Sequence, residues 1–354
     1  MNTTISFPGI GIGEFTVNRV AFEIFGKEIF WYGVIIMLGM VAAFIHTLLR
    51  GKQEGVKSDD ILDIGIFTVI FGVIGARLYY VLFSLKDHTY DSILDVIAVW
   101  DGGLGIYGGV ILGCMALVLT SMYKKINPLK VMDMAGPGVM IAQAIGRWGN
   151  FINGEAFGEI VTEGHPLYFL RMGLKSEYSA SYLKEIGRTD IFAMEYFHPT
   201  FFYESIWNIL GFVIITLLYR KKKFNGQMAL MYFTWYGFGR MFIELLRTDS
   251  LHIGKSDIRV SVVVGIAGFV LGAGGLIAGF ILSHKGKLDK WLKVSWAEPA
   301  LAAGAPVVEQ TEEVSEDAAA EAVDESNDEV IEKSPAGAEE NEPHGETDKD
   351  DPRQ

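Results

Sequence analysis

At 354 residues, half of them hydrophobic and 21% charged, with a formal charge of −13, the chain is long enough for one large soluble domain or for several membrane spans. The charge is uneven: residues 297–354 hold 19 Asp/Glu against 3 Lys/Arg, which leaves residues 1–296 at +3, and no nucleic-acid partner is expected. The single cysteine, Cys114, excludes an intramolecular disulfide and is expected to fill a small buried, apolar position.

Residues 1–28 mix β-branched, aromatic and glycine residues without a helical period, which predicts an extended extracytoplasmic arm. They lack the basic start and apolar run of a cleavable signal peptide. Apolar stretches of membrane-spanning length then recur at 29–49, 61–83, 103–122, 131–145, 201–218, 228–246 and 260–282. They predict an all-α polytopic membrane protein with about seven transmembrane helices in residues 29–290.

Basic residues follow every odd-numbered span: Arg50, Lys52 and Lys57; Lys124, Lys125 and Lys130; Arg220 to Lys223; and Lys285, Lys287, Lys290 and Lys293. The positive-inside bias makes those segments cytoplasmic, with the N-terminus outside and the C-terminus inside. The loop at 151–199, with charges of both signs and four tyrosines, is expected to form a small extracytoplasmic cap. His198-Pro199 leads into the fifth span, where the fixed φ of proline suits a first helical turn. Residues 291–354 are expected to be an acidic cytoplasmic tail, too poor in apolar residues to offset its ordering entropy.

Polar residues gather where the spans should be apolar. Residues 146–158 read Gly-Arg-Trp-Gly-Asn-Phe-Ile-Asn-Gly-Glu-Ala-Phe-Gly at the end of the fourth apolar run, packing Arg147, Asn150, Asn153 and Glu155 among four glycines. An arginine offers a planar fork of donors suited to phosphate oxygens. By helical rise Arg77 falls about 24 Å and Arg240 about 18 Å from the cytoplasmic side, and Arg147, Tyr32, Tyr107 and Glu204 share that outer half. Tyr236, Arg240 and Glu244 fall on one helix stripe at i, i+4 and i+8. A self-neutralising Arg240–Glu244 pair is one reading. An excess of arginines awaiting an anion, such as a phospholipid headgroup, is the other.

Serine-elbow, His-Glu-x-x-His and P-loop patterns are absent from the sequence. No nucleophile of the chain's own stands out, so a second substrate is expected to bring one. No metal-ligand cluster stands out either, and no metal or cofactor is expected. A lipid or solute transporter remains the rival of another class, and an intramembrane protease lacks its Ser/His or Asp pair.

The motif Gly146-Arg147-x-Gly149-Asn150-Phe151-x-Asn153-x-Glu155-x-x-Gly158 resembles the signature of the prolipoprotein diacylglyceryl transferases. Trp31-Tyr32-Gly33, Gly75-Ala76-Arg77, Gly102-Gly103 with Gly108-Gly109, His198-Pro199-Thr200 with Tyr203-Glu204, and Tyr236-x-x-x-Arg240-x-x-x-Glu244 follow in the family's order, over roughly residues 1–290. The resemblance implies transfer of the diacylglyceryl group of phosphatidylglycerol to the lipobox cysteine of a bacterial prolipoprotein, with release of glycerol 1-phosphate, at the outer leaflet of the cell membrane. It implies phosphatidylglycerol, prolipoprotein signal peptides and membrane lipids as partners. It assigns Arg147 and Arg240 to the headgroup, with Asn150, Asn153, Glu155 and Gly158 around it. Tyr32, Tyr236, Glu204, Glu244 and His198 complete the shell, and Arg77 anchors the lipid. Many family members carry histidine where this chain has Tyr107. A phenol is a poor base near neutral pH, so Tyr107 is expected to donate a hydrogen bond, and the base stays open between solvent, Glu155 and Glu244.

Overall fold

The computed structural model of the protein describes residues 3–85, 90, 92–252 and 256–296. Strands β1 (Thr3–Phe7), β2 (Ile12–Val17), β3 (Val20–Ile24) and β4 (Lys27–Phe30) precede helices α1 (Trp31–Glu54), α2 (Ser58–Ser84), α3 (Ile93–Ile97), α4 (Ile106–Tyr123) and α5 (Pro128–Asn153). Strand β5 (Met172–Lys175), helix α6 (Glu177–Glu185) and strand β6 (Glu195–Phe197) follow. Helices α7 (Thr200–Leu218), α8 (Gln227–Leu246) and α9 (Val260–His284) close the bundle.

Among the described residues, five helices are long and apolar enough to cross a membrane: α1, α2, α4, α7 with its short extension to Lys221, and α9. The protein is therefore mostly helical and of the polytopic membrane type. Helices α5 and α8, at 26 and 20 residues, also match apolar runs of the sequence but fall outside that set of five. They are the two that carry most of the polar chemistry, from Asp133 to Asn153 and from Tyr232 to Glu244.

Local sequence sets the ends of α5. The Asn127 side chain accepts from the Leu129 N–H and Pro128 takes the first turn, while Gly154 in the left-handed region (φ 66°) closes the other end. Neighbouring helices approach through small residues, as membrane helices do. Between α2 and α4, a Cβ on Gly75 would sit 2.4 Å from the Gly108 carbonyl oxygen, so nothing larger fits.

The all-α expectation needs one correction. The arm and the 151–199 loop are not separate units. Strands β1 and β2 join β5 and β6 in one antiparallel sheet, in the order β2-β1-β5-β6, with Thr4 opposite Lys175. Ile5, Phe157, Met172, Leu174, Leu183, Phe197 and Phe201 form its buried core. Neither segment has enough apolar surface alone, and their pairing joins Thr4 to Lys175 across nearly half of the chain, which is why a local reading separates them.

Cys114, expected to be buried, is exposed on α4; protein does not cover it. Two basic residues assigned to solvated cytoplasmic segments are instead buried. Lys222 bonds to Glu54 and lies 3.2 Å from Asp133. Lys130 Nζ donates to the Glu54 carbonyl at 2.9 Å and to Ser295 at 3.0 Å. Asp133 also accepts from the Gly226 and Ala229 N–H groups at 2.8 and 3.0 Å, fixing the start of α8. Residues 291–296, which the sequence placed in the tail, lie against this end of the bundle: the Trp291 and Lys293 carbonyls accept from Asn225 at 3.2 and 2.7 Å. The rest of the expected tail, 297–354, lies outside the described residues.

This knot joins α1, α5 and α8 with the segment just after α7. Lys222→Met should leave Glu54 and Asp133 buried without their shared cation, at a cost of about 3–5 kcal/mol. The expected readout is a clear fall in unfolding temperature in detergent; an unchanged temperature would show that the knot does not brace the bundle.

Candidate functional site

Three helices bring their polar residues together at the other end. Along α7 the buried residues Thr200, Phe201, Glu204, Asn208, Gly211 and Ile215 recur at helical spacing, so Glu204 points into the bundle. There its Oε1 accepts from Arg147 Nη2 of α5 at 2.6 Å and its Oε2 from Arg240 Nη1 of α8 at 2.9 Å. One carboxylate thus holds two guanidinium groups side by side. Their exposures differ: the side chains of Arg147 and Arg240 are 20% and 12% exposed, against 3% for Glu204. The carboxylate is the more deeply buried group, and each arginine keeps a small exposed fraction.

The expected excess of positive charge is smaller than the sequence implies. Glu244 Oε2 lies 2.5 Å from Arg240 Nη2, so the self-neutralising i, i+4 pair does form. The contact is close but poorly aligned, and Glu244 Oε2 has no hydrogen bond among the described residues. We read it as a buried ion pair that offsets much of the Arg240 charge.

The signature loop stands beside this pair. Arg147 Nη1 donates to Asn150 Oδ1 at 3.3 Å, and the Asn150 and Asn153 amides both donate to Glu155 Oε1, at 2.9 and 3.2 Å. Tyr32 packs over Gly149, where a Cβ would come within 2.7 Å of its ring. Tyr236 lies within electrostatic reach of both arginines and of Glu204. Gly158 is a packing point: a Cβ there would meet His198, Thr200 and the Leu246 carbonyl within 2.9 Å. Its N–H donates to the His198 carbonyl at 2.9 Å, and the Glu159 N–H donates to the Leu246 carbonyl at 2.8 Å. The loop after α5 is therefore stitched to the start of α7 and the end of α8.

Other residues singled out in the sequence lie outside the bonded cluster. The Arg77 guanidinium donates to four backbone carbonyls, of Asp95, Val96, Gly102 and Gly103, at 2.5 to 3.2 Å. That occupation is structural: it folds the segment between α2 and α4 over the end of α2. Tyr107, in the first turn of α4, packs against Tyr79 with ring centroids 6.2 Å apart. Among the described residues its hydroxyl has no hydrogen-bond partner.

Arg247 and Arg259 were not picked out from the sequence. Arg247 forms a two-pronged bond to Asp249 at 2.9 and 2.7 Å and reaches Glu204 electrostatically. Arg259 donates to the Glu244 carbonyl. The signal was available: both flank a loop where the positive-inside bias predicts few cations. Among the described residues no cluster of His, Cys, Asp or Glu is arranged to hold a metal ion.

Two predictions follow from this geometry. Glu204→Ala leaves two facing guanidinium groups without their shared counter-ion and should cost about 3–5 kcal/mol, seen as a lowered unfolding temperature. His198 is buried, with Nδ1 3.2 Å from the Tyr203 hydroxyl. Burial, then the neighbouring His165, pull its pKa below the ordinary 6.5. A neutral buried imidazole contributes stability that is present above 6.5 and is lost as pH falls from there towards the lowered value. His198→Gln should flatten that acid limb of a pH-dependent melting curve.

A sequence model of the family described as "Prolipoprotein diacylglyceryl transferase" matches residues 19–278. The chain is similar to a phosphatidylglycerol–prolipoprotein diacylglyceryl transferase of Streptococcus mutans, at 36% identity over 72% of this chain and 94% of that protein. It is similar to the proteins of that name from Streptococcus uberis, at 40% over 72% and 93% of the two chains, and from Enterococcus faecalis, at 40% over 72% and 87%.

Proposed function

The chain belongs to the prolipoprotein diacylglyceryl transferase family, and we propose that it moves the diacylglyceryl group of phosphatidylglycerol onto the lipobox cysteine of prolipoproteins at the Glu204-centred cluster. One observation carries the assignment of the site. Two guanidinium groups from different helices are held side by side by a more deeply buried carboxylate, and each keeps a part of its side chain exposed. A phosphodiester placed beside those exposed parts meets two cations in a region of low dielectric.

The reaction follows from that placement. The peptide's sulfur attacks the glycerol carbon that bears the phosphate; the carbon–sulfur bond forms as the carbon–oxygen bond breaks, and the electron pair leaves on glycerol 1-phosphate. Arg147 and Arg240 stabilise the charge that collects on the leaving phosphate. Asn150, Asn153 and Glu155 hold the Arg147 end of the site, with Tyr32 and Tyr236 as flanking hydroxyls. Glu204 is a positioning residue for both arginines, and Gly158 and His198 shape the loop behind it. The thiol proton goes to solvent or to a carboxylate of the cluster, Glu155 or Glu244. Tyr107 donates to the lipid and is not the base. Arg77 supports the site by ordering the segment above α2.

The orientation belongs to the same proposal. The cluster lies at the ends of the helices away from Lys124, Lys222 and Lys285, so the positive-inside bias turns it to the outer leaflet. All seven long helices span the membrane, α5 and α8 included, shielded by their neighbours. The sheet of β1, β2, β5 and β6 caps the outer side, with a cytoplasmic tail beyond Trp296.

The test is transfer of labelled diacylglyceryl from phosphatidylglycerol to a lipobox peptide by the purified protein, with a Cys→Ser peptide as control. Thiol-dependent release of glycerol phosphate is expected. Arg147→Ala and Arg240→Ala should each lower kcat about 10²–10³-fold, and lysine at either position should restore little because it lacks the planar fork. Lipid binding without thiol-dependent release would favour a transporter instead.

A further inference from the structure

One helical turn below the ion pairs, about 6 Å along each axis, lies a second polar layer that the reaction above does not use. Arg147 pairs with Glu204, the Ser205 hydroxyl donates to the Ala144 carbonyl at 3.0 Å, and a Cβ on Gly211 would meet Met140. This antiparallel register of α5 and α7 sets Gln143 across from Asn208. Gln143 is i−4 to Arg147, and Asn208 is i+4 to Glu204. Gln143 Nε2 donates to the Tyr232 hydroxyl of α8 at 3.1 Å, and the Tyr232 ring stacks on Tyr236 at 5.7 Å.

The layer is incompletely bonded. Asn208 is 0% exposed, and neither its Nδ2 nor its Oδ1 has a hydrogen-bond partner among the described residues; Gln143 Oε1 is buried in the same state. Turning the Gln143 amide over leaves its nitrogen unpaired instead, so the deficit does not depend on that assignment. A buried amide without partners is costly, and within a membrane protein it marks a site.

The unpaired atoms specify their complement. They offer a donor and acceptors and carry no charge. An ester carbonyl only accepts, an ammonium only donates and brings charge, and a carboxylate brings the opposite charge. A hydroxyl both donates and accepts, and a diol does so twice. Resting on the transferase reading of the adjoining cluster, we infer that Asn208 and Gln143 bind the free glycerol hydroxyls of the phosphatidylglycerol headgroup and select that lipid among anionic phospholipids. The charged layer takes the phosphate, and the neutral layer takes the polyol.

The test compares two lipids of equal charge, phosphatidylglycerol and phosphatidylpropanol, which lacks both hydroxyls. The wild-type protein should favour phosphatidylglycerol in kcat/KM by on the order of 10⁴-fold, as sites built to bond a hydroxyl reject analogues without it. Asn208→Leu, close in volume, should bring that ratio near one, mainly through KM. Because it removes an unpaired amide, its unfolding temperature should hold or rise. Gln143→Met should narrow the ratio independently. A wild-type ratio near one would overturn the inference and leave the layer to water. An undiminished ratio in both variants would overturn it too, as would equal losses on the two lipids, which mark a structural role. Transfer from neither lipid by the wild-type protein would instead refute the transferase reading beneath it.

Discussion

Glu204 is the residue on which one end of the bundle depends. A carboxylate with almost no water contact is stable only when its charge is met and its oxygens are bonded, and Arg147 and Arg240 do both from different helices. The bond therefore fixes the spacing of α5, α7 and α8 and, with it, the separation of the two guanidinium forks. At the far end of the chain's long helices, Lys222 does the converse: one buried cation bridges two carboxylates, Glu54 and Asp133. Each knot joins two cations and two carboxylates: Arg147 and Arg240 with Glu204 and Glu244 at one end, Lys130 and Lys222 with Glu54 and Asp133 at the other. The most exposed charged side chain of the two is Arg147, at 20%.

The chemistry follows from what the chain lacks as well as from what it holds. Its single cysteine is exposed on α4, and the polar cluster offers cations, amides, phenols and carboxylates but no strong nucleophile. Such a site can bind, orient and stabilise a leaving phosphate, while the second substrate brings the sulfur. The charged groups gather at one level with Asn150, Asn153 and Tyr32 beside them, and the layer of Gln143, Asn208 and Tyr232 a turn away carries no charge, where an unpaired charge would cost more.

Some of this was legible in the sequence, and the rest failed for identifiable reasons. The 146–158 motif and the Tyr236, Arg240, Glu244 stripe stand out because polar residues interrupt apolar runs at helical spacing. The bridging role of Glu204 does not, since its partners lie 57 and 36 positions away. Arg77 looks like its fellow arginines until its partners prove to be backbone carbonyls. Lys222 sits in a basic run that reads as solvated. Strands β1 and β5 hide because their pairing joins distant segments. Gln143 and Asn208 carry no charge, so they disappear in a hydropathy profile and show themselves only as buried amides without partners.

The central claim is that the Arg147–Glu204–Arg240 cluster holds an anionic headgroup. It is tested most directly by measuring the phospholipid the purified protein retains, by native mass spectrometry, from mixed phosphatidylglycerol and phosphatidylcholine micelles. The wild-type chain is compared with a variant carrying Arg147→Gln, Glu204→Gln and Arg240→Gln together, which removes the charges while leaving polar partners in place. The account predicts selective retention of phosphatidylglycerol by the wild-type chain and loss of that selectivity in a variant that still unfolds cooperatively. Equal selectivity in the two proteins would contradict it and place the headgroup elsewhere.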